Sequence, residues 1–270
     1  MRRSGMLDSV AGLGLHDHVC WIFDDEDDVR GAALQWFEEG LRLGQRLLYV
    51  GAREPEALNA DLARLDGVAA LVAADALRVV SLPTLHDPAR EADGPPPMAR
   101  YAAATEDALA DGYTGLRVAA DLTRLAVHPT AWEAQARWES EADRYMASMP
   151  LAVLCCYDRR EVPGAALADI ASFHPLVHGS RRIAPFRLFA TQDALALSGD
   201  VDGFSVDALN RLLGMAAQPE GGVLDIGALE FIDHRGVLAL VDHARADGGL
   251  SLRAAPPMVR RLCTMLDVAL

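Results

Sequence analysis

Residues 18–50, HVCWIFDDEDDVRGAALQWFEEGLRLGQRLLYV, decide the fold. The run His18 to Phe23 is apolar enough for a strand, and it gives way to five consecutive carboxylates, Asp24 to Asp28. Over residues 28–43 the side chains Ala33, Trp36, Phe37, Gly40 and Leu41 recur at i, i+3, i+4, i+7 and i+8, the stripe of an amphipathic helix. Acidic residues at its start suit the positive end of the helix dipole, and Gly44 suits its C-terminus. Arg46 to Val50 is then a second strand. Strand, helix and strand in that order set the pattern of a parallel sheet.

The pattern extends along the chain. Further strands are expected at 77–82, 116–120 and 151–157, and helices at 55–65, 98–111, 129–148 and 163–174. Buried strands alternating with helices predict a mostly parallel sheet with helices on both faces. Residues 87–97, rich in Pro, Asp and Gly, read as a mobile loop. At Gly179 to Pro185 the pattern resets, which divides the chain into units at 8–180 and 186–270. The second unit reads as two strands, 187–191 and 194–199, joined by a tight turn at Gln192-Asp193. Helix 204–217, strand 222–231, helix 235–246, strand 250–254 and helix 257–268 follow. The fold class is α/β, a larger layered domain plus a smaller one.

Composition narrows the function. The 270 residues are 51% hydrophobic, too apolar for disorder to dominate. A net charge of −14 repels polyanions and argues against nucleic acid as a partner. All 25 basic residues are arginine, so Schiff-base chemistry and a phosphate-gripping lysine are excluded. No window is long and apolar enough for a bilayer, and the N-terminus lacks the apolar centre of a signal peptide, so a cytoplasmic protein with no membrane partner is expected. The cysteines Cys20, Cys155, Cys156 and Cys263 are expected to be reduced, with Cys155 and Cys156 pointing to opposite faces of one strand.

The candidate ligand-binding residues are His18, Cys20, Cys156 and His174. His18 and Cys20 share a strand face, which His16 joins if the strand starts early. Cys156 lies near the C-terminal end of another strand, where doubly wound sheets bind ligands. An imidazole–thiolate group could hold a soft metal or polarise a small ligand, and buried cysteine is equally at home as a small hydrophobe. The reading adopted is a small-molecule pocket, with no metal and no cofactor assigned. His86, His128, His178 and His243 read as loop or surface residues without partners. No local motif supports catalysis, so the chain is expected not to be an enzyme. The alternatives are a cysteine-dependent enzyme using Cys156 or Cys20 as nucleophile with a histidine as base, helped only by Asp121 and Asp158 at strand ends, and a structural or dimerising scaffold.

Three resemblances refine this. Residues 28–62 are similar to the first helix and second strand of RecA-like ATPases of the circadian-clock type, but the acidic run stands where their phosphate loop lies and would repel a triphosphate. His18-x-Cys20, Phe37-x-x-Gly40-Leu41, Leu154-Cys155-Cys156-Tyr157-Asp158 and His174-Pro175, within 12–180, resemble the MEDS sensory domain, which implies a sensor of small hydrocarbon derivatives on a RecA-like sheet. Residues 223–237, with 195–202 upstream, resemble the STAS domains of anti-sigma-factor antagonists. That implies a partner of the anti-sigma-factor type, read by Asp233, His234, Arg235 and Gly236 at a helix N-terminus. His234 and Arg235 occupy the two serine positions of that family's loop, so its phosphorylation switch is lost. Together the resemblances imply a signalling and transcription-regulatory protein, and a homodimer is compatible with them.

Overall fold

The computed structural model describes residues 2–86, 97–128, 131–180, 182–217, 221–246 and 249–268. The first part of the chain runs β1 (Gly5–Met6), β2 (His18–Phe23), α1 (Glu26–Arg42), β3 (Arg46–Gly51), α2 (Pro55–Asp61), α3 (Val68–Ala73), β4 (Leu77–Ser81) and α4 (Leu82–Leu85). It continues with α5 (Pro97–Ala110), β5 (Leu116–Asp121), α6 (Thr123–Ala126), α7 (Trp132–Met146), β6 (Leu151–Asp158), α8 (Gly164–Ser172) and β7 (Leu176–His178). The second part holds β8 (Phe186–Ala190), β9 (Leu195–Val201), α9 (Val206–Met215), β10 (Val223–Ile232), α10 (His234–Arg245), β11 (Ser251–Arg253) and α11 (Pro257–Leu266). The loop expected at 87–97 lies outside the described residues, except that Pro97 opens α5.

The larger sheet has the order β1-β7-β2-β6-β5-β3-β4, and every pairing in it is parallel. The smaller sheet, β11-β10-β9-β8, is mixed: β8 and β9 form an antiparallel hairpin and the other pairs are parallel. The protein is therefore α/β in both parts. The central strands β2 and β6 are buried along their whole length, as continuous apolar runs require. β1 and β7, too short to show a pattern, were not expected; they extend one edge of the sheet.

Register fixes which side chains share a face. Cys20 pairs with Cys155 and Trp21 with Cys156. On one face Cys20, Val153, Cys155 and Tyr157 pack with α5, α7 and α8 in a core that continues through β8 into the smaller sheet. On the other, Val19, Trp21, Leu154 and Cys156 pack with Trp36 and Phe37 of α1. Gly40 lets α1 approach this sheet closely. An added Cβ there would lie 2.6 Å from Arg117 Cδ and 2.7 Å from Leu47 Cδ2. Arg117 cannot yield easily. It is fully buried, donates to Gln45 Oε1 and to the Trp36 and Leu13 carbonyls, and lies 4.2 Å over the Trp36 ring.

The two sheets are tied by specific polar contacts as well as by the shared core. Asp143 Oδ2 on α7 accepts the Ala190 amide of β8 at 2.6 Å. Arg2 bridges the same point, donating to the Ala190 carbonyl at 2.8 Å and pairing with Asp143 at 2.7 Å. Farther along, Ser140 Oγ accepts the Ala217 amide, and Arg211 of α9 pairs with Asp169 of α8 at 2.7 Å.

Candidate functional site

Two sites lie back to back on β6, because consecutive residues of a strand face opposite ways. The first is a buried quartet. His18 from β2, Glu139 from α7, Cys155 from β6 and His174 from just beyond α8 bring one donor atom each within 4.8 Å of one another. None has measurable exposure. His18 Nε2 is 3.2 Å from Glu139 Oε2, and His174 Nε2 is 3.4 Å from that same oxygen yet makes no hydrogen bond. Cys155 Sγ is 3.5 Å from His18 Nε2 and 3.5 Å from Glu139 Oε2.

The surroundings hold each ring and carboxylate in place. His18 Nδ1 is 3.1 Å from Asp143 Oδ1, and His174 Nδ1 donates to the Ile170 carbonyl at 2.9 Å. Gln135 Nε2 donates to Glu139 Oε1 at 2.9 Å, and the Tyr157 hydroxyl donates to that oxygen as well. The rings of His18 and His174 lie 3.9 Å apart. Burial opposes charge throughout, but the histidines outweigh it at Glu139 and hold its carboxyl well below the usual range. At His18 burial is likewise outweighed, by hydrogen bonds to Asp143 and Glu139, and the pKa rises. Burial, reinforced by the charge on His18, lowers that of His174.

The second site is a crevice of about 230 Å³ at the carboxyl ends of β2, β3, β5 and β6. Cys156, Tyr49, Asp121, Thr123, Arg30 and Arg53 are among the residues lining it. Burial raises the pKa of Asp121, and neighbouring Glu161 and Asp158 add to the effect. Arg53 pairs with Asp61, which Tyr49 also contacts at 3.4 Å. The acidic run opens α1: Asp25 caps it by accepting the Asp27 amide, and Asp28 accepts from Trp21 Nε1 at 3.0 Å.

The structure thus brings His18 and His174 together, puts Cys20 on their face of the sheet, and puts Cys156 on the opposite face in the crevice. His16 does not join them. It has a φ of 71° outside β2, and its Nδ1 meets the Met146 carbonyl. Glu139 and Cys155 were missed by sequence reasoning. Glu139 had a usable signal: Gln135, Glu139, Ala142, Asp143 and Met146 fall at i, i+4, i+7, i+8 and i+11, so two carboxylates lie on the apolar stripe of α7. The reading of His86 and His178 as partnerless surface residues is corrected. His86 is buried, with Nε2 3.2 Å from the Tyr101 hydroxyl, and His178 stacks on Trp21 at 3.6 Å.

In the smaller domain Asp233 is the N-cap of α10, its Oδ1 accepting the Gly236 amide at 2.9 Å. Gly236 is buried, and a Cβ there would strike Ile232 Cγ1 at 2.6 Å, so it serves packing. His234 and Arg235 project outward. Beside them Phe204 is 100% exposed and Phe231 50% exposed, an unusual amount of aromatic surface around one loop.

Residues 17–175 match the family described as MEDS: MEthanogen/methylotroph, DcmR Sensory domain. No curated protein matches the chain.

Proposed function

The chain belongs to the MEDS family of sensory domains, and from that premise we propose a signalling protein in which a ligand bound by the larger domain controls what the smaller one presents. The ligand is a small hydrocarbon derivative held in the crevice. At about 230 Å³ the crevice falls below the roughly 300–1,000 Å³ of pockets for drug-sized molecules, which suits a compound of few heavy atoms. Cys156 and Tyr49 give it soft and aromatic surface, and Arg30, Arg53 and Asp121 give it polar handles. The smaller domain is a STAS-like module whose exposed His234 and Arg235, with Phe204, meet an anti-sigma-factor-type protein in the cytoplasm. Without a serine in that loop, control comes from the larger domain.

The position of Asp143 carries this reading. It touches His18 of the first sheet and Ala190 of the second, one turn from Glu139 on the same helix. Strand β6 connects it to the crevice: Cys156 lines the ligand space, while the next residue, Tyr157, bonds Glu139 from the other face. The protein acts by binding rather than catalysis. In support, burial raises the Cys20, Cys155 and Cys156 thiols well above their usual range, a poor setting for a nucleophile.

The test is ligand-observed NMR of the intact chain with one- and two-carbon alcohols, amines and halides. At least one should bind, and Tyr49→Ala should weaken it. Binding by none of them, or binding unaffected by both Tyr49→Ala and Cys156→Phe, refutes the assignment of the crevice.

A further inference from the structure

We infer that His18 Nε2, His174 Nε2, Glu139 Oε2 and Cys155 Sγ are the four ligands of a buried divalent metal ion of the zinc class. This goes beyond the sensing reading and stands whether or not the crevice takes a small molecule. The distances carry it first. A tetrahedral ion bound at ~2.0–2.1 Å to nitrogen and oxygen and ~2.3 Å to sulfur sets its ligand atoms about 3.3–3.6 Å apart. Four of the six separations among these atoms are 3.2, 3.4, 3.5 and 3.5 Å, and all six are within 4.8 Å.

The direction of each donor carries it further. A backbone carbonyl only accepts, so His174 Nδ1 bears a hydrogen and its Nε2 lone pair points inward. That Nε2 is buried without a hydrogen-bond partner, a costly state unless something electropositive meets it. His18 is oriented in the same way by Asp143 at its outer nitrogen. An imidazole whose outer nitrogen bonds a carboxylate or carbonyl is the usual support of a metal ligand. Glu139 follows suit, with Oε1 occupied by Gln135 and Tyr157 and Oε2 left to face the histidines.

Charge balances as well. Asp143 is already neutralised by Arg2, which leaves Glu139 and Cys155 to face the ion. One carboxylate, one thiolate and two neutral imidazoles make a neutral assembly with a dication, and the Cys155 thiol releases its proton on binding. Two imidazoles with a thiolate and a carboxylate suit Zn²⁺ or Co²⁺ better than Mg²⁺ or Ca²⁺, which prefer oxygen alone. Four protein ligands close the coordination sphere, so the ion is structural. It would pin α7 to β2, β6 and the end of α8.

The experiment is elemental analysis of the intact chain purified without chelator, followed by refolding with Co²⁺ as the probe. About one equivalent of zinc is expected, together with the thiolate-to-cobalt charge-transfer band and the intense visible bands of a tetrahedral ion. Cys155→Ser should lose the charge-transfer band, and Cys156→Ser, altered on the other face, should keep it. Wild type free of metal that also gives no cobalt spectrum overturns the proposal and leaves a quartet held by protons alone. A metal whose spectrum survives Cys155→Ser overturns it too, because the ion then lies elsewhere. Should Cys155→Ser fail to fold, the wild-type zinc content and cobalt spectrum decide.

Discussion

The carboxylate of Asp143 accepts the backbone amide of Ala190 at 2.6 Å, across the join between the two sheets. Its other oxygen faces His18 Nδ1 at 3.1 Å and Arg2 at 2.7 Å. One side chain on α7 therefore senses the packing of the larger domain and holds the edge strand of the smaller one. Any shift of α7 along its axis must break one of these contacts or move β8 with it. The connection needs no flexible linker.

Removing that carboxylate should be costly. Asp143→Ala leaves a buried amide without an acceptor and a nearly buried arginine without its counter-charge, so a loss of roughly 3–5 kcal/mol is expected. Urea unfolding of wild type and variant measures it. A loss below about 1 kcal/mol would mean that water replaces the carboxylate without penalty.

Two glycines of α1 should respond with opposite signs to the same change. A Cβ at Gly31 meets nothing within 4 Å, so Gly31→Ala should stabilise by about 0.8–1 kcal/mol through helix propensity. At Gly40 the same methyl meets Arg117 and Leu47, both fully buried, and overpacking of roughly 1–3 kcal/mol outweighs that gain. Denaturant midpoints of the two variants settle it, and stabilisation by both would contradict the described packing of α1.

His86 should make the fold sensitive to mild acid. Burial, with a further push from Arg100 partly opposed by Glu139, holds its pKa down to about 4 from 6.5. Between those values the unfolded chain binds a proton that the folded chain does not. Its contribution is therefore fully present above pH 6.5 and is lost as pH falls towards 4, by roughly 2–3 kcal/mol. In His86→Phe the stability measured across this window should fall less steeply than in wild type. An unchanged slope assigns the acid response to other groups.

Support around the quartet should matter as the quartet does. Tyr157→Phe removes a hydrogen bond to Glu139 Oε1 while preserving the ring, and it should weaken Co²⁺ affinity about 10-fold or more. Competition with a chromophoric chelator reads this directly.

At the smaller domain Arg235→Glu reverses the charge of an exposed residue, so the unfolding midpoint should not move. Association with the proposed anti-sigma-factor-type partner should be lost. Affinity purification with quantitative mass spectrometry, wild type beside variant, tests both the loop and the nature of the partner.

Much of the architecture was legible because its strands are uninterrupted apolar runs and its helices carry stripes. HVCWIF, RLLYV and LAVLCCYD all became parallel strands, and the switch to a second sheet after Gly179 followed the break in pattern. The two-residue β1 and three-residue β7 are set by pairing with distant strands, which no local pattern announces. The site was half legible. His18 and His174 stood out as histidines beside buried runs. Cys156 drew attention in place of Cys155 because a strand buried on both faces gives no parity by which to choose between neighbours. Glu139 was lost among Glu133, Glu141 and Asp143 on a helix rich in charge, where only its place on the apolar stripe sets it apart.

Under the proposed function, binding in the larger domain is felt in the smaller one. Hydrogen–deuterium exchange of the intact chain, with and without a saturating compound found by the NMR screen, tests it most directly. Altered exchange is expected at the Ala190 amide and across residues 223–236, none of which lines the crevice. A compound that protects the crevice while leaving exchange throughout residues 186–268 unchanged would contradict it.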